Sequence, residues 1–243
     1  MSIRYGGSVK ATLASYNIHR CYGRDGNYDP ARIRDVLRLI NADVVALQEV
    51  ELLREDPGLL DYFCEGSSWQ AIHGPTLERR SAHYGNALLT SLPVRSVGKI
   101  DISEPGREPR GALQVDLQAG RSTLQVLATH LGLRPSERRA QVKRLLSVLN
   151  EKARPLEKNV FNVLMGDLNE WFLWGRPIKF LRSHFNVTPA PATFPAHRPL
   201  FALDRIWLEP GENLIRIGAL KNKLTRTASD HLPLIANIDL GRV

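Results

Sequence analysis

Five times along this chain a short apolar run stops at residues of the kind that bind metal or phosphate. Residues 11–16 give way to Asn17-Ile18-His19, residues 43–47 to Gln48-Glu49, and residues 123–128 to Thr129-His130. Residues 160–165 lead into Gly166-Asp167-Leu168-Asn169-Glu170, and Ser229-Asp230-His231 stands just before the run 234–240. Runs this short and this apolar read as strands covered on both faces. A polar group at the end of such a strand lies at the rim of a sheet, held by a rigid scaffold, as a catalytic constellation requires. The fold must therefore bring several sheet ends to one place.

Between the runs lie amphipathic stretches. Asp29 reads as an N-cap and Pro30 as the first helical residue, after which Ile33, Val36, Leu37 and Ile40 fall at i, i+3, i+4 and i+7. A second helix is predicted from about Ser136-Glu137, with Val142, Leu145, Leu146 and Leu149 on its apolar stripe. Strands are predicted over residues 10–16, 43–48, 86–91, 112–117, 123–129, 160–165, 203–208 and 234–240. Residues 86–129 read as consecutive antiparallel strands, so the order is not a strict βα alternation and a mixed, layered α/β architecture is expected. Residues 98–110 and the Pro-rich 188–199 are expected to be long irregular connections bordering a binding site.

The 243 residues carry no repeat and no Gly/Ser linker, which suggests one domain over residues 10–243 after an N-terminal extension, 1–9. Apolar stretches are far shorter than the roughly 18 residues of a membrane span, the first ten residues lack an apolar leader core, and Cys21 and Cys64 read as reduced thiols. A cytoplasmic protein is expected. Lys and Arg number 33 against 25 Asp and Glu, a formal net charge of +8, which favours polyanionic partners: nucleic acid first, anionic phospholipid second.

The residue types at the strand ends select a chemistry. Carboxylate and amide oxygens without paired thiolates suit a hard cation, Mg²⁺ with Mn²⁺ able to substitute, and such a cation serves the cleavage of phosphate esters. A G-x-S-x-G elbow, a P-loop and a G-x-G-x-x-G fingerprint are all missing from the sequence.

Taken in order, Tyr16-Asn17-Ile18, Leu47-Gln48-Glu49, Thr129-His130, Gly166-Asp167-Leu168-Asn169, Leu203-Asp204-Arg205 and Ser229-Asp230-His231-Leu232-Pro233 resemble the endonuclease/exonuclease/phosphatase superfamily over about residues 10–240. The resemblance implies a four-layered α/β sandwich: two mixed, mainly antiparallel sheets packed face to face, with helices on the outer faces. It implies Mg²⁺-dependent phosphoester cleavage, with Glu49 as the principal metal ligand, Asn17 beside it on metal or phosphate, and Asp230 supporting a metal site. Asp167 and Asn169 would orient the attacking water and hold the transition state. His231 would be the catalytic histidine, polarised by Asp204, and either Asp167 or His231 the general base. His130 matches the second histidine of the deoxyribonuclease and sphingomyelinase branches, able to bind phosphate or protonate the leaving oxygen. Asn17, His19, Arg110 and Asn169 are the candidate substrate contacts, a solvated loop being the other reading of Arg110.

Two departures bear on substrate. Deoxyribonucleases carry an acid in the segment that here reads Tyr84-Gly85-Asn86-Ala87, and Thr129-His130 stands where apurinic endonucleases have an aromatic hydroxyl. Trp171 and Trp174 are expected in the core rather than on a substrate. The leading expectation is a nuclease, endo or exo. Behind it stand a phospholipid or sphingomyelin phosphodiesterase or inositol-phosphate phosphatase of the same fold, and a non-catalytic nucleic-acid-binding module.

Overall fold

A computed structural model describes residues 8–53, 58–78, 82–152, 159–185 and 187–242. Of the expected extension, residues 1–7 lie outside the described residues and Ser8 opens the first strand. One sheet takes β1 (Ser8–Asn17), β2 (Val44–Leu53), β3 (Gln70–Glu78) and β4 (Ala82–Thr90) from the first part of the chain. The second takes β5 (Val94–Asp101), β6 (Gly111–Ala119), β7 (Ser122–His130), β8 (Val160–Asp167) and β9 (Asp204–Glu209), before β10 (Leu214–Ala219) and β11 (Leu234–Arg242) return to the first. The orders are β10-β11-β1-β2-β4-β3 and β5-β6-β7-β8-β9. Among the described strands only β1–β2 and β7–β8 pair in parallel, and each of these needs a crossover: α1 (Pro30–Ile40) supplies one, α3 (Pro135–Lys152) the other. The short helices are α2 (Leu59–Cys64), α4 (Arg176–Arg182) and α5 (Thr225–Ala228).

Period-two alternation explains the four layers. In β2, Val44 and Ala46 face the second sheet, where they meet Leu113, Val115 and Val126, while Val45 and Leu47 face the opposite way onto Ile33, Val36 and Leu37 of α1. In β7 and β8, Val126 and Val163 point into the space between sheets, and Leu127 and Leu164 pack on Val142 and Leu145 of α3 and Ile178 of α4. Each central strand is apolar on both sides because each face is covered, one by a sheet and the other by helices. The cap on α1 forms as expected, the Asp29 carboxylate accepting from the Arg32 backbone N–H at 3.0 Å. No described helix is long and apolar enough to cross a membrane.

Three strands escape the sequence reading, β3, β5 and β10, and all three are sheet edges. Edge strands are half-solvated and carry charges and breakers, here Gly74-Pro75, Arg95 with Lys99, and Arg216, which dilute the apolar signal. The supposed irregular connection at 98–110 is corrected accordingly, since β5 runs through Asp101 and only the remainder is loop. Residues 188–199 do form an irregular connection, crossed by one bridge between Phe194 and Phe201.

Candidate active site

The C-terminal ends of β1, β7 and β8 converge with the middle of β2, because Gln48-Glu49, expected at a strand end, lie inside a strand that runs on to Leu53. Across the second sheet the register places His130 beside Asp167 and Asp167 beside Asp204, so three of the expected residues form a row on neighbouring strands. In the first sheet Asn17 pairs with Gln48, and its side chain bridges the gap between sheets. Its Nδ2 donates to Glu49 Oε1 and to Asp167 Oδ2, both at 3.1 Å. The amide oxygen faces away and accepts from the His19 backbone N–H at 3.0 Å. Glu49 reaches this point because the β2–β4 register shifts between Leu47 and Val50, and Glu49 sits on that irregularity with φ 56°.

Beneath Asp167 the chain needs a glycine. Gly166 has φ 146°, and a Cβ there would collide with the Thr129 carbonyl oxygen. The close approach of β8 to β7 that aligns Asp167 with His130 thus depends on a missing side chain. Asp167 then turns the chain back on itself, its Oδ1 accepting from the Asn169 backbone N–H at 2.8 Å. Asn169, at φ 49°, donates from Nδ2 to the Leu131 carbonyl at 2.9 Å.

Two histidines face Asp167 Oδ2, His130 Nε2 at 3.5 Å and His231 Nε2 at 3.6 Å, and their surroundings drive them to opposite charge states. Burial disfavours a charged His231, but the charges of Asp204 and Asp167 and a 2.8 Å hydrogen bond from Nδ1 to Asp204 outweigh it and hold the pKa up at about 10. His130 is pushed down to about 3, by burial first and then by the Arg110 guanidinium. That guanidinium can only donate, and at 2.9 Å from Nδ1 it makes this nitrogen the acceptor and leaves the proton on Nε2. The Asn169 amide nitrogen, 3.0 Å from the same Nε2, is then a second donor facing the first, a clash that rotating the amide would relieve at the cost of the bond to Leu131. Arg110 is buried rather than solvated, its other terminal nitrogen 3.2 Å from Glu108.

Several supporting residues were not singled out from sequence. Thr193 donates its hydroxyl to Asp204 Oδ2 at 2.6 Å; it belongs to the 188–199 connection, whose expected place beside a site was the available clue. Ser229 ties the last motif to the first, donating to the Asn17 carbonyl at 2.7 Å and accepting from the His231 backbone N–H at 3.2 Å. Phe194 lies against the His231 ring, centroids 4.9 Å apart. Arg138 of α3 pairs with Glu170 at 3.2 Å, both buried, and braces the turn that carries Asp167 and Asn169. His19 is half-buried, its Nδ1 3.1 Å from the Tyr22 carbonyl. Trp171 and Trp174 are exposed, not core as expected. Cys21 and Cys64 are free, and burial pushes the Cys21 thiol up to about 12.

A cation fits the electrostatics of this place. Asp167, Asp204 and His231 bring ligand atoms within 4.8 Å of one another, and the Glu49 carboxylate shares the Asn17 amide with Asp167. Asp230 lies close enough to help hold His231 charged. The buried Oδ1 of Asp204 has no hydrogen-bond partner among the described residues. These are hard oxygen donors with an excess of negative charge over the His231 imidazolium, the donor set of a divalent cation such as magnesium.

Two mixed sheets packed face to face with helices on their outer faces form a four-layered α/β sandwich, with an acid, amide and imidazole cluster between the sheets. Residues 14–231 match the endonuclease/exonuclease/phosphatase family, and the chain belongs to that family, whose members are hydrolases acting on phosphoester bonds. It is 33% identical over 251 residues to the uncharacterized protein YbhP of Escherichia coli K12, covering 94% of this chain and 96% of that one. Among solved structures, an endonuclease/exonuclease/phosphatase from Beutenbergia cavernae shares the fold at TM-score 0.76 and 22% identity, over 96% of this chain and 72% of that one. A mannosyl-6-phosphatase of Bacteroides thetaiotaomicron does so at TM-score 0.75 and 17% identity (93% and 98%). The truncated TDP2 of Caenorhabditis elegans follows at 0.69 and 17% (95% and 97%).

Proposed function

We propose that this protein is a Mg²⁺-dependent phosphodiesterase whose reaction centre is Asp167. The observation that carries the reading is the meeting of Asn17, His130 and His231 around that one carboxylate, with Glu49 joined to it through the Asn17 amide. Asn17, Glu49 and Asp230 would hold the cation, which when bound neutralises phosphoryl oxygens and stabilises the leaving oxyanion.

The chain's own residues divide the remaining work. His231 is already protonated at neutral pH, so Asp167 is the group left to take a proton from water. Water oxygen bonds to phosphorus as the ester P–O bond breaks; the water proton goes to Asp167 and the leaving oxygen takes one from His231 Nε2. Asp204 and Thr193 fix the imidazolium by its Nδ1 side. His130, neutral with its proton on Nε2, serves as a hydrogen-bond donor to a phosphoryl oxygen rather than as the acid, and Arg110 sets its tautomer. The net charge of +8 suits a polyanionic substrate, a requirement that nucleic acid and anionic lipid both meet.

Hydrolysis of bis(p-nitrophenyl) phosphate tests the reading without reference to the natural alcohol. Turnover is expected with Mg²⁺ or Mn²⁺, none after chelation, and recovery when metal is returned. Rates indifferent to chelator would remove the metal from the mechanism, and no turnover with either metal would leave the binding-module reading in its place.

A further inference from the structure

The residues just past the Asp167 turn form a surface the proposed chemistry does not use. Phe172 is 54% exposed, Leu173 46% and Trp174 69%, three consecutive apolar side chains in solvent. Leu133 and Leu200 stand out at 68% and 64%. Their backbones are tied to the same turn: Arg138 holds both the Leu133 carbonyl and Glu170, Glu170 Oε1 accepts from the Phe172 backbone N–H at 3.2 Å, and Phe201, next to Leu200, packs edge-on against Trp171 at 4.7 Å. The protrusion is held, not loose. A backbone bond from Gly175 to the Phe172 carbonyl at 3.1 Å closes the turn and sets the Phe172 and Trp174 rings 5.2 Å apart.

This surface is continuous with the reaction centre. Trp171 touches Phe194, centroids 5.8 Å apart, and Phe194 touches His231 at 4.9 Å. An aromatic strip therefore runs from the catalytic imidazole outward to the protruding turn. The segment itself, residues 171–203, contains no Asp or Glu, the carboxylate that reaches it at His184 being Glu209 of β9, 3.8 Å away. The same stretch carries Arg176, Lys179, Arg182 and Arg198, all exposed.

We propose that this face docks on an anionic phospholipid surface, so that the phosphoester presented to Asp167 is borne by a lipid. The inference rests on the phosphodiesterase reading for its chemistry, but the docking stands on the surface alone. Exposed Trp and Phe flanked by aliphatic side chains and backed by basic residues match the bilayer interface, where rings lie at headgroup level and cations meet lipid phosphates. A single-stranded nucleic acid would use the rings by stacking, yet it gives Leu133, Leu173 and Leu200 nothing to bury against. Four exposed cations with no acid among them complement lipid headgroups, whereas an apolar protein patch would not need them.

Co-sedimentation with vesicles tests the proposal, using phosphatidylcholine alone and phosphatidylcholine mixed with phosphatidylglycerol. Wild-type protein is expected on the mixed vesicles and about 10-fold or more weaker on phosphatidylcholine alone. F172S/W174S is expected to lose mixed-vesicle binding by about 10-fold or more, and R176E/K179E, which keeps the apolar turn, to lose it comparably. Both variants should keep wild-type rates on bis(p-nitrophenyl) phosphate, which also establishes that they fold. Failure of wild type to sediment, or sedimentation unchanged in both variants, overturns the proposal. So does single-stranded DNA binding that the F172S/W174S change abolishes, which would make the rings a base-stacking platform. Vesicle binding is scored without turnover, so an inactive protein that docks would fault the phosphodiesterase reading, and with it the lipid-borne phosphoester, while the docking surface stands.

Discussion

Asp167→Asn is expected to lower the rate on a soluble phosphodiester by roughly 100- to 10,000-fold, the range for removing a positioned general base, while the far-ultraviolet circular dichroism stays that of wild type. The substitution keeps the shape and one acceptor oxygen, so the Asn169 backbone N–H can remain bonded. It removes the charge that both His130 Nε2 and His231 Nε2 face. The loss should appear in kcat, since the carboxylate acts on the attacking water and not on the bound ester. A residual rate within threefold of wild type would mean that another group takes the proton.

The second large effect is on stability and comes from behind the site. Arg138 and Glu170 are each only 3% exposed and face one another at 3.2 Å. Glu170→Gln would leave the guanidinium buried without its counterion, a change that typically costs about 3–5 kcal/mol. Urea denaturation of E170Q should report a loss of about that size. R138M/E170Q should recover part of it, because the orphaned charge is gone along with its partner. Recovery matters for function, since the pair links α3 to the turn bearing Asp167 and Asn169. Losses that simply add in the double variant would show that the two residues act independently.

The sequence made the centre of this protein legible and its margins obscure, for physical reasons. Central strands such as β2 and β8 are covered on both faces, so their apolar runs are dense and their polar ends stand out. Edge strands β3, β5 and β10 need less apolar surface and carry no such contrast. The expected residues Asn17, Glu49, His130, Asp167, Asn169, Asp204 and His231 do come together: the parallel pairs set Asn17 beside Gln48 and His130 beside Asp167, the β8–β9 pairing sets Asp204 beside Asp167, and a hydrogen bond to Asp204 brings in His231 from the loop before β11. The Arg110–His130 contact was hidden, since it joins the residue just before β6 to the last residue of β7, which meet only once those strands pair. Trp171 and Trp174 misled in another way: apolar identity favours burial but does not impose it, and an exposed run of such residues is informative because it is unusual.

Calorimetric titration of Mg²⁺ and Mn²⁺ into wild type and Glu49→Gln asks directly whether the acid cluster holds a divalent cation. Wild type is expected to bind with saturation, and Glu49→Gln to bind about 10-fold or more weakly, since a neutral amide replaces a charged oxygen ligand. No saturable binding by wild type, or equal binding by the variant, would contradict the assignment of this centre as a metal-dependent phosphoesterase site built around Glu49 and Asp167.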